Sequence, residues 1–251
     1  MKKTIAIVLA LFSAMIISPW QINAQEGAKV GFSIRPMVSY SYCELKGNYA
    51  KAITDVKYRN GFQAGVAFER LLPKGFSIQP ELIVANQGGI MENKEVFINP
   101  TNGAVYSRTK KQESSITSII IPLSIKYKLF KRFYVELGAQ MGFMIKANQK
   151  LVYTNTGNPA LNTSAELNLL KDGSYIIGGQ LYQYRRGLNE FELSINSGLS
   201  YFLTKKLSMR LKYNFGITDL NSGTIMALNT ASSNIRSSVI SLGLGWDIKR
   251  R

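Results

Sequence analysis

The chain has 251 residues with no histidine and one cysteine, so neither a histidine-based catalytic triad nor a histidine–cysteine metal site can be assembled from it. Its 31 basic residues stand against 15 acidic ones, a surplus that points to nucleic acid only if the protein stays in the cytosol. The first residues argue against that.

Met1, Lys2 and Lys3 precede an apolar run from Ile5 to Ile17, and small Ala24 closes the segment. A basic start, a short greasy core and a small residue at the cut are the parts of a secretory signal peptide. The core is shorter than the roughly 20 residues of a spanning helix. The expectation is a cleaved leader over 1–24 and one β-domain over 25–251, with no nucleic-acid partner. Cys43 has no intrachain partner for a disulfide. It leaves a free thiol, an intermolecular partner or, preferred here, a small buried residue at a strand end.

From residue 30 onward the chain alternates. In 30–42, Val30, Phe32, Ile34, Val38, Tyr40 and Tyr42 oppose Gly31, Ser33, Arg35, Met37, Ser39 and Ser41. The stretches 61–70 and 75–85 repeat this, with Glu69 and Glu81 among the polar set. The run 118–144 breaks at Lys131 and Arg132 into two strands whose polar sides carry Lys126, Lys128 and Glu136. Three more follow at 191–203, 207–218 and 238–249, bringing Glu192, Arg210, Lys212 and Asp247. Alternate side chains of a strand face opposite ways, so eight amphipathic strands are expected.

The connections alternate as well. "LLPK", "FKR" and "TKK" are tight turns, while 43–59, 87–115, 147–189 and 219–235 are long. Short turns at one end and long loops at the other predict an all-β fold, an eight-stranded antiparallel transmembrane β-barrel of the outer membrane. "FINPTNGAVYS" reads as the tip of a hairpin extended beyond the membrane, turning at Asn102-Gly103, and "YTNTGNPA" as a second such extension. Aromatic residues near strand ends, among them Tyr40, Tyr42, Tyr127, Phe133, Phe191, Tyr201 and Trp246, suit the membrane interfaces.

The face rich in glycine and serine should line the bore, because eight strands leave room only for side chains. That places Arg35, Glu69, Glu81, Lys126, Lys128, Glu136, Glu192, Arg210, Lys212 and Asp247 in a paired lumen network. Such a lumen is a plug, and the alternative is a narrow channel or small-solute transporter. No catalytic or metal site and no cofactor is expected. Glu81 and Glu136 are the only carboxylates weighed for acid–base chemistry, and structural pairing is preferred for them.

The basic surplus gathers at the short-turn end, in Arg70, Lys74, Lys131, Arg132, Lys205, Lys206, Lys249, Arg250 and Arg251. This periplasmic rim would hold anionic headgroups or an acidic periplasmic partner. In the third loop, Tyr182, Tyr184, Arg185 and Arg186 are the candidate exterior contact. "LYQYRR" reads equally well as an extension of strand six.

The last strand, with Ser241, Gly243, Trp246 and Ile248 in "SLGLGWDI", resembles the assembly signal that barrels present to the barrel-assembly machinery. Three basic residues replace the usual terminal aromatic. The segments "SIQPELIVANQGG", "IPLSIKYKL", "FYVELGAQMGFM" and "LKYNFGITDL" together resemble the PorT-like outer-membrane β-barrel family of Bacteroidota. The resemblance implies a cell-envelope barrel acting as a structural, surface-binding or secretion-accessory component, with lipids of the outer membrane around it and a possible secretion-system partner. The family's founding member is linked to type IX secretion. The resemblance carries over no ligand residue.

Overall fold

The computed structural model describes residues 31–47, 54–98, 105–155, 162–177, 179–221 and 234–250. The proposed leader, Arg251 and the two turn tips around Asn102-Gly103 and 156–161 lie outside these residues. Eight long strands close into one antiparallel ring. They are β1 (Phe32–Lys46), β2 (Arg59–Leu71), β3 (Phe76–Ile98), β4 (Val105–Lys128), β5 (Phe133–Asn155), β6 (Phe191–Phe202), β7 (Leu207–Gly216) and β8 (Arg236–Trp246). Each pairs with the next, β5 meets β6 from Phe143↔Phe191 to Phe133↔Tyr201, and β8 returns to β1. Closure leaves no strand edge in the ring and satisfies the backbone without water.

The oily face points outward. Val38, Phe62, Leu137 and Leu242 are exposed, while Ser41, Lys126, Asn196 and Ser200 are buried. In lipid this inverts the ordinary accounting, since exposed apolar surface meets acyl chains and buried polar groups must find one another. The turn after β2 bends sharply through Lys74 (φ 60°) and Gly75 (φ 83°), the left-handed conformation that glycine adopts without strain.

Three neighbouring strands overshoot the others. β3, β4 and β5 have 23, 24 and 23 residues, against 10 in β7. At about 3.3 Å per residue the excess amounts to roughly 40 Å of strand running on beyond the ring. Thr54–Lys57 adds to the outer edge of β3, and Thr163–Asn168 to β5, so a five-stranded sheet rises from one side of the wall. Much of what reads as loop in 87–115 and 147–189 is therefore strand. "LYQYRR" does not prolong β6. Its first residues form a separate hairpin, Gly173–Ile177 against Gln180–Tyr184, turned at Gly179 (φ 78°). Cys43 is buried in the last part of β1, close to its end at Lys46.

Candidate functional site

The lumen is filled in two storeys. The lower, toward the short turns, is ionic. Arg35 on β1 donates from Nε to Asp247 (2.5 Å) and from Nη2 to Glu69 on β2 (2.8 Å). Lys126 on β4 lies 3.2 Å from the other oxygen of Glu69. Arg210 on β7 reaches across the bore, donating to Glu136 on β5 (2.5 Å) and to Glu81 on β3 (2.5 Å). Lys212 approaches Glu81 at 3.6 Å. Four cations thus face four carboxylates, and every carboxylate has a cation.

Gln79 joins the two groups. Its carbonyl oxygen accepts from Arg35 (3.3 Å) and Lys126 (3.0 Å), and its amide donates to Glu81 (2.8 Å). Sequence reasoning did not single out this residue, although its place between Ser77 and Glu81 on the inward face carried the signal. Tyr134 and Phe202 close the floor edge to face, with centroids 5.4 Å apart. Arg35 lies 5.0 Å over Phe202, and Lys126 lies 5.3 Å over Tyr134. Gly198 leaves room for the Glu136 carboxylate, because a Cβ there would sit 2.6 Å from its oxygen.

Two residues assigned to the network stand outside it. Lys128 has the inward parity but is the last residue of β4, paired with Tyr134, and lies exposed at the turn end. Glu192, half-buried higher up, accepts from the hydroxyls of Ser194 and Ser237, with no cation in its described hydrogen bonds or ion pairs. Glutamine in its place keeps an oxygen for the same donors. Glu192→Gln is therefore expected to change unfolding free energy by less than about 1 kcal/mol, measured by denaturant titration in detergent. A loss above about 3 kcal/mol would show that Glu192 balances a buried charge.

The upper storey is apolar, which the small-residue reading of the inner face did not foresee. Leu45, Met91, Ile116, Met144 and Ala147 point inward and pack on Leu169 and Leu188 of the third loop and Leu220 and Ile235 of the fourth. Backbone bonds lock these segments together: Leu169 donates to Ala147 O (2.8 Å), Asn189 to Leu220 O (2.8 Å) and Leu220 to Ile235 O (2.8 Å). Two small lumen cavities, one beside Arg35 and Arg210 and one beside Cys43 and Glu192, measure about 10 Å³ each. That is room for roughly one water.

Glu81 and Glu136 are both held by Arg210, so neither is placed to exchange a proton with a substrate. Among the described residues no group of histidine, cysteine, aspartate and glutamate side chains could hold a metal ion.

At the exterior, the tall sheet carries a second cluster. Arg108 lies 4.2 Å over Tyr153, and Tyr175 stacks on Tyr182 at 5.4 Å. Burial pushes the Lys110 ammonium below its ordinary value, with Glu95 opposing the shift. Of the candidate contact residues, Tyr182 is exposed, and Tyr184 is half-buried with its hydroxyl accepting from Asn168 N (2.9 Å). Arg185 and Arg186 are exposed, and Arg186 lies 3.8 Å from Glu190. Ile176 and Leu181 beside them are 63% and 65% exposed.

At the opposite end, Lys74, Lys131, Arg132, Lys205 and Lys206 are exposed, Arg70 is half-buried, and Lys249–Arg250 pairs with Ser33–Ile34. In β8 and the residues after it, Ser241 and Gly243 face the lumen, while Trp246 and Ile248 face outward.

A family model described as "Outer membrane protein beta-barrel domain" matches residues 19–222. Among solved structures, Neisserial surface protein A is similar at 12% identity and a TM-score of 0.38, covering 86% of this chain and 97% of that one. The attachment invasion locus protein Ail of Yersinia pestis aligns at 11% identity and a TM-score of 0.36, covering 88% and 100%. An outer membrane channel from Pseudomonas putida F1 aligns at 9% identity and a TM-score of 0.30, covering 92% and 100%. No curated protein matches.

Proposed function

The chain belongs to the outer membrane protein β-barrel domain family, and from that premise we propose that it is a closed barrel whose work is surface binding. The membrane part anchors and orients; the tall sheet and its hairpin make contact. The observation that carries this reading is the double seal of the bore, an ion cluster below and an apolar cluster above. A conduit needs a continuous wet path, which this arrangement opposes. Exposed Ile176, Leu181 and Tyr182 on the projecting hairpin suit a protein partner, since aromatic and apolar side chains anchor interface centres.

The reading has two parts and two measurements. Reconstituted in a planar bilayer, the protein is expected to show no stable conductance steps; ion-selective steps would favour the narrow-channel alternative. Cross-linking from intact outer membranes through a photoreactive residue at position 181 is expected to trap an exterior partner, and recovery of uncross-linked protein alone would sink the binding role.

A secretion-accessory role is a second reading, favoured by the basic side chains gathered at the short-turn end and by the PorT-like sequence series. It differs in place, because its cross-links would arise from Lys131 or Lys205 and would capture secretion-machine subunits. The same rim suits the anionic lipid headgroups at that interface.

A further inference from the structure

The outer wall is not evenly greasy. In one register row Val38 on β1 pairs with Ala64 on β2, and Ala64 with Val84 on β3. The small Ala64 leaves a notch between larger neighbours. The row above runs through Leu242, Tyr40, Phe62 and Asn86, with the Tyr40 and Phe62 rings edge to face at 5.4 Å. Together these rows line an open groove of about 680 Å³ whose walls are almost wholly apolar.

The upper end of the groove turns polar and cationic. Pairing of β2 with β3 stops at Phe62↔Asn86, and Arg59 occupies the gap above it. Its guanidinium donates to Asn86 Oδ1 (3.0 Å), Gln87 O (3.3 Å) and Ser115 Oγ (3.2 Å), and lies 3.4 Å from Glu113. Asn86 in turn donates to Thr117 (3.2 Å), which lines the groove. On β5, exposed Lys146 stands opposite Thr117, and exposed Lys150 opposite Glu113. Three cations therefore share this ledge with two carboxylates, Glu113 and the exposed Glu166 that stands opposite Lys150 on the added strand Thr163–Asn168, on the side of the long loops.

Position and chemistry select one occupant. The groove lies within the apolar band, so it takes an acyl chain. The ledge lies at headgroup height, where amide, hydroxyl and guanidinium groups suit a phosphorylated sugar. We propose that the notch over Ala64 and the ledge of Arg59, Lys146 and Lys150 form a binding site for one phosphorylated glycolipid of the outer leaflet. An acyl chain lies in the notch and a phosphate lies among the three cations. The inference rests on outer-membrane location and is independent of the surface-binding role.

Native mass spectrometry in a non-ionic detergent tests it, with added diphosphorylated lipid A, its dephosphorylated form, and phosphatidylglycerol as probes. One lipid A per barrel is expected to be retained, with at least about tenfold weaker retention of the dephosphorylated form, each lost phosphate contact being worth that order. Ala64→Phe fills the notch from outside the ring, so folding, checked by heat-dependent gel mobility, should persist while lipid A retention falls about tenfold. Arg59→Gln/Lys146→Gln/Lys150→Gln should lose the preference for phosphate. Leu199→Phe on the far wall should change nothing. Equal retention of the dephosphorylated form, equal displacement by phosphatidylglycerol, or wild-type retention by folded Ala64→Phe would each overturn the site.

Discussion

Arg210→Met is expected to lower the unfolding free energy by about 3–5 kcal/mol, the cost of removing one partner from a buried ion pair. Arg210 ion-pairs with both Glu81 and Glu136; without it Glu81 keeps Lys212 and the Gln79 amide, while Glu136 keeps the Ser200 hydroxyl but loses its ion pair. Its loss leaves two carboxylates in a space too small to hydrate them. The check is urea-induced unfolding of the barrel in lipid vesicles. Adding Glu136→Gln to Arg210→Met should recover more than half of the loss, because the remaining Glu81 keeps Lys212. If the double variant were as unstable as the sum of the two singles, the pairing account would be wrong, since coupled sites must deviate from additivity.

The second large effect concerns the upper storey. Leu220 is fully buried among Leu45, Met144, Leu188 and their neighbours, and its backbone ties the fourth loop to Asn189 and Ile235. Leu220→Asp places a carboxylate where no described cation stands within the cluster, an expected loss of several kcal/mol for that cluster. The ring beneath it keeps its own bonds, so the damage should be local. Trypsin added to the outside of vesicles should then cut at Lys171, Arg185 and Arg186 at least tenfold faster, while heat-dependent gel mobility stays that of a folded barrel. An unchanged cleavage rate would mean that the loops do not rest on this core.

The ring was legible because its signal has period two and fails only at turns. All eight residues of the ion cluster, including Asp247 just beyond the last strand, could be read from parity together with charge. Lys128 has the same parity, but position along the axis, not parity, decides whether a side chain is enclosed, and it is exposed at the rim as the last residue of β4. The apolar storey was hidden for a different reason. The register between β4 and β5 shifts at Thr117/Ser118, and an extra residue reverses which face each later side chain takes. Met144 and Ala147 are both buried despite an odd separation. Leu169, Leu188 and Leu220 come from irregular segments, where no period exists to read. The ledge of Arg59, Lys146 and Lys150 was missed because the charge count drew attention to the opposite end.

The ion cluster draws a member from nearly every part of the circumference. Arg35 meets Asp247 where the first strand adjoins the last, and Arg210 spans the width of the bore. Neither of these two contacts exists in a sheet that is still open. A half-zipped ribbon can pair Arg35 with Glu69 on the next strand but leaves Asp247 and Glu81 without their cations, and hydrocarbon repels it. Sealing the seam lets each charge trade its water for a partner, so the interior acts as a lock that admits only the finished cylinder to the bilayer.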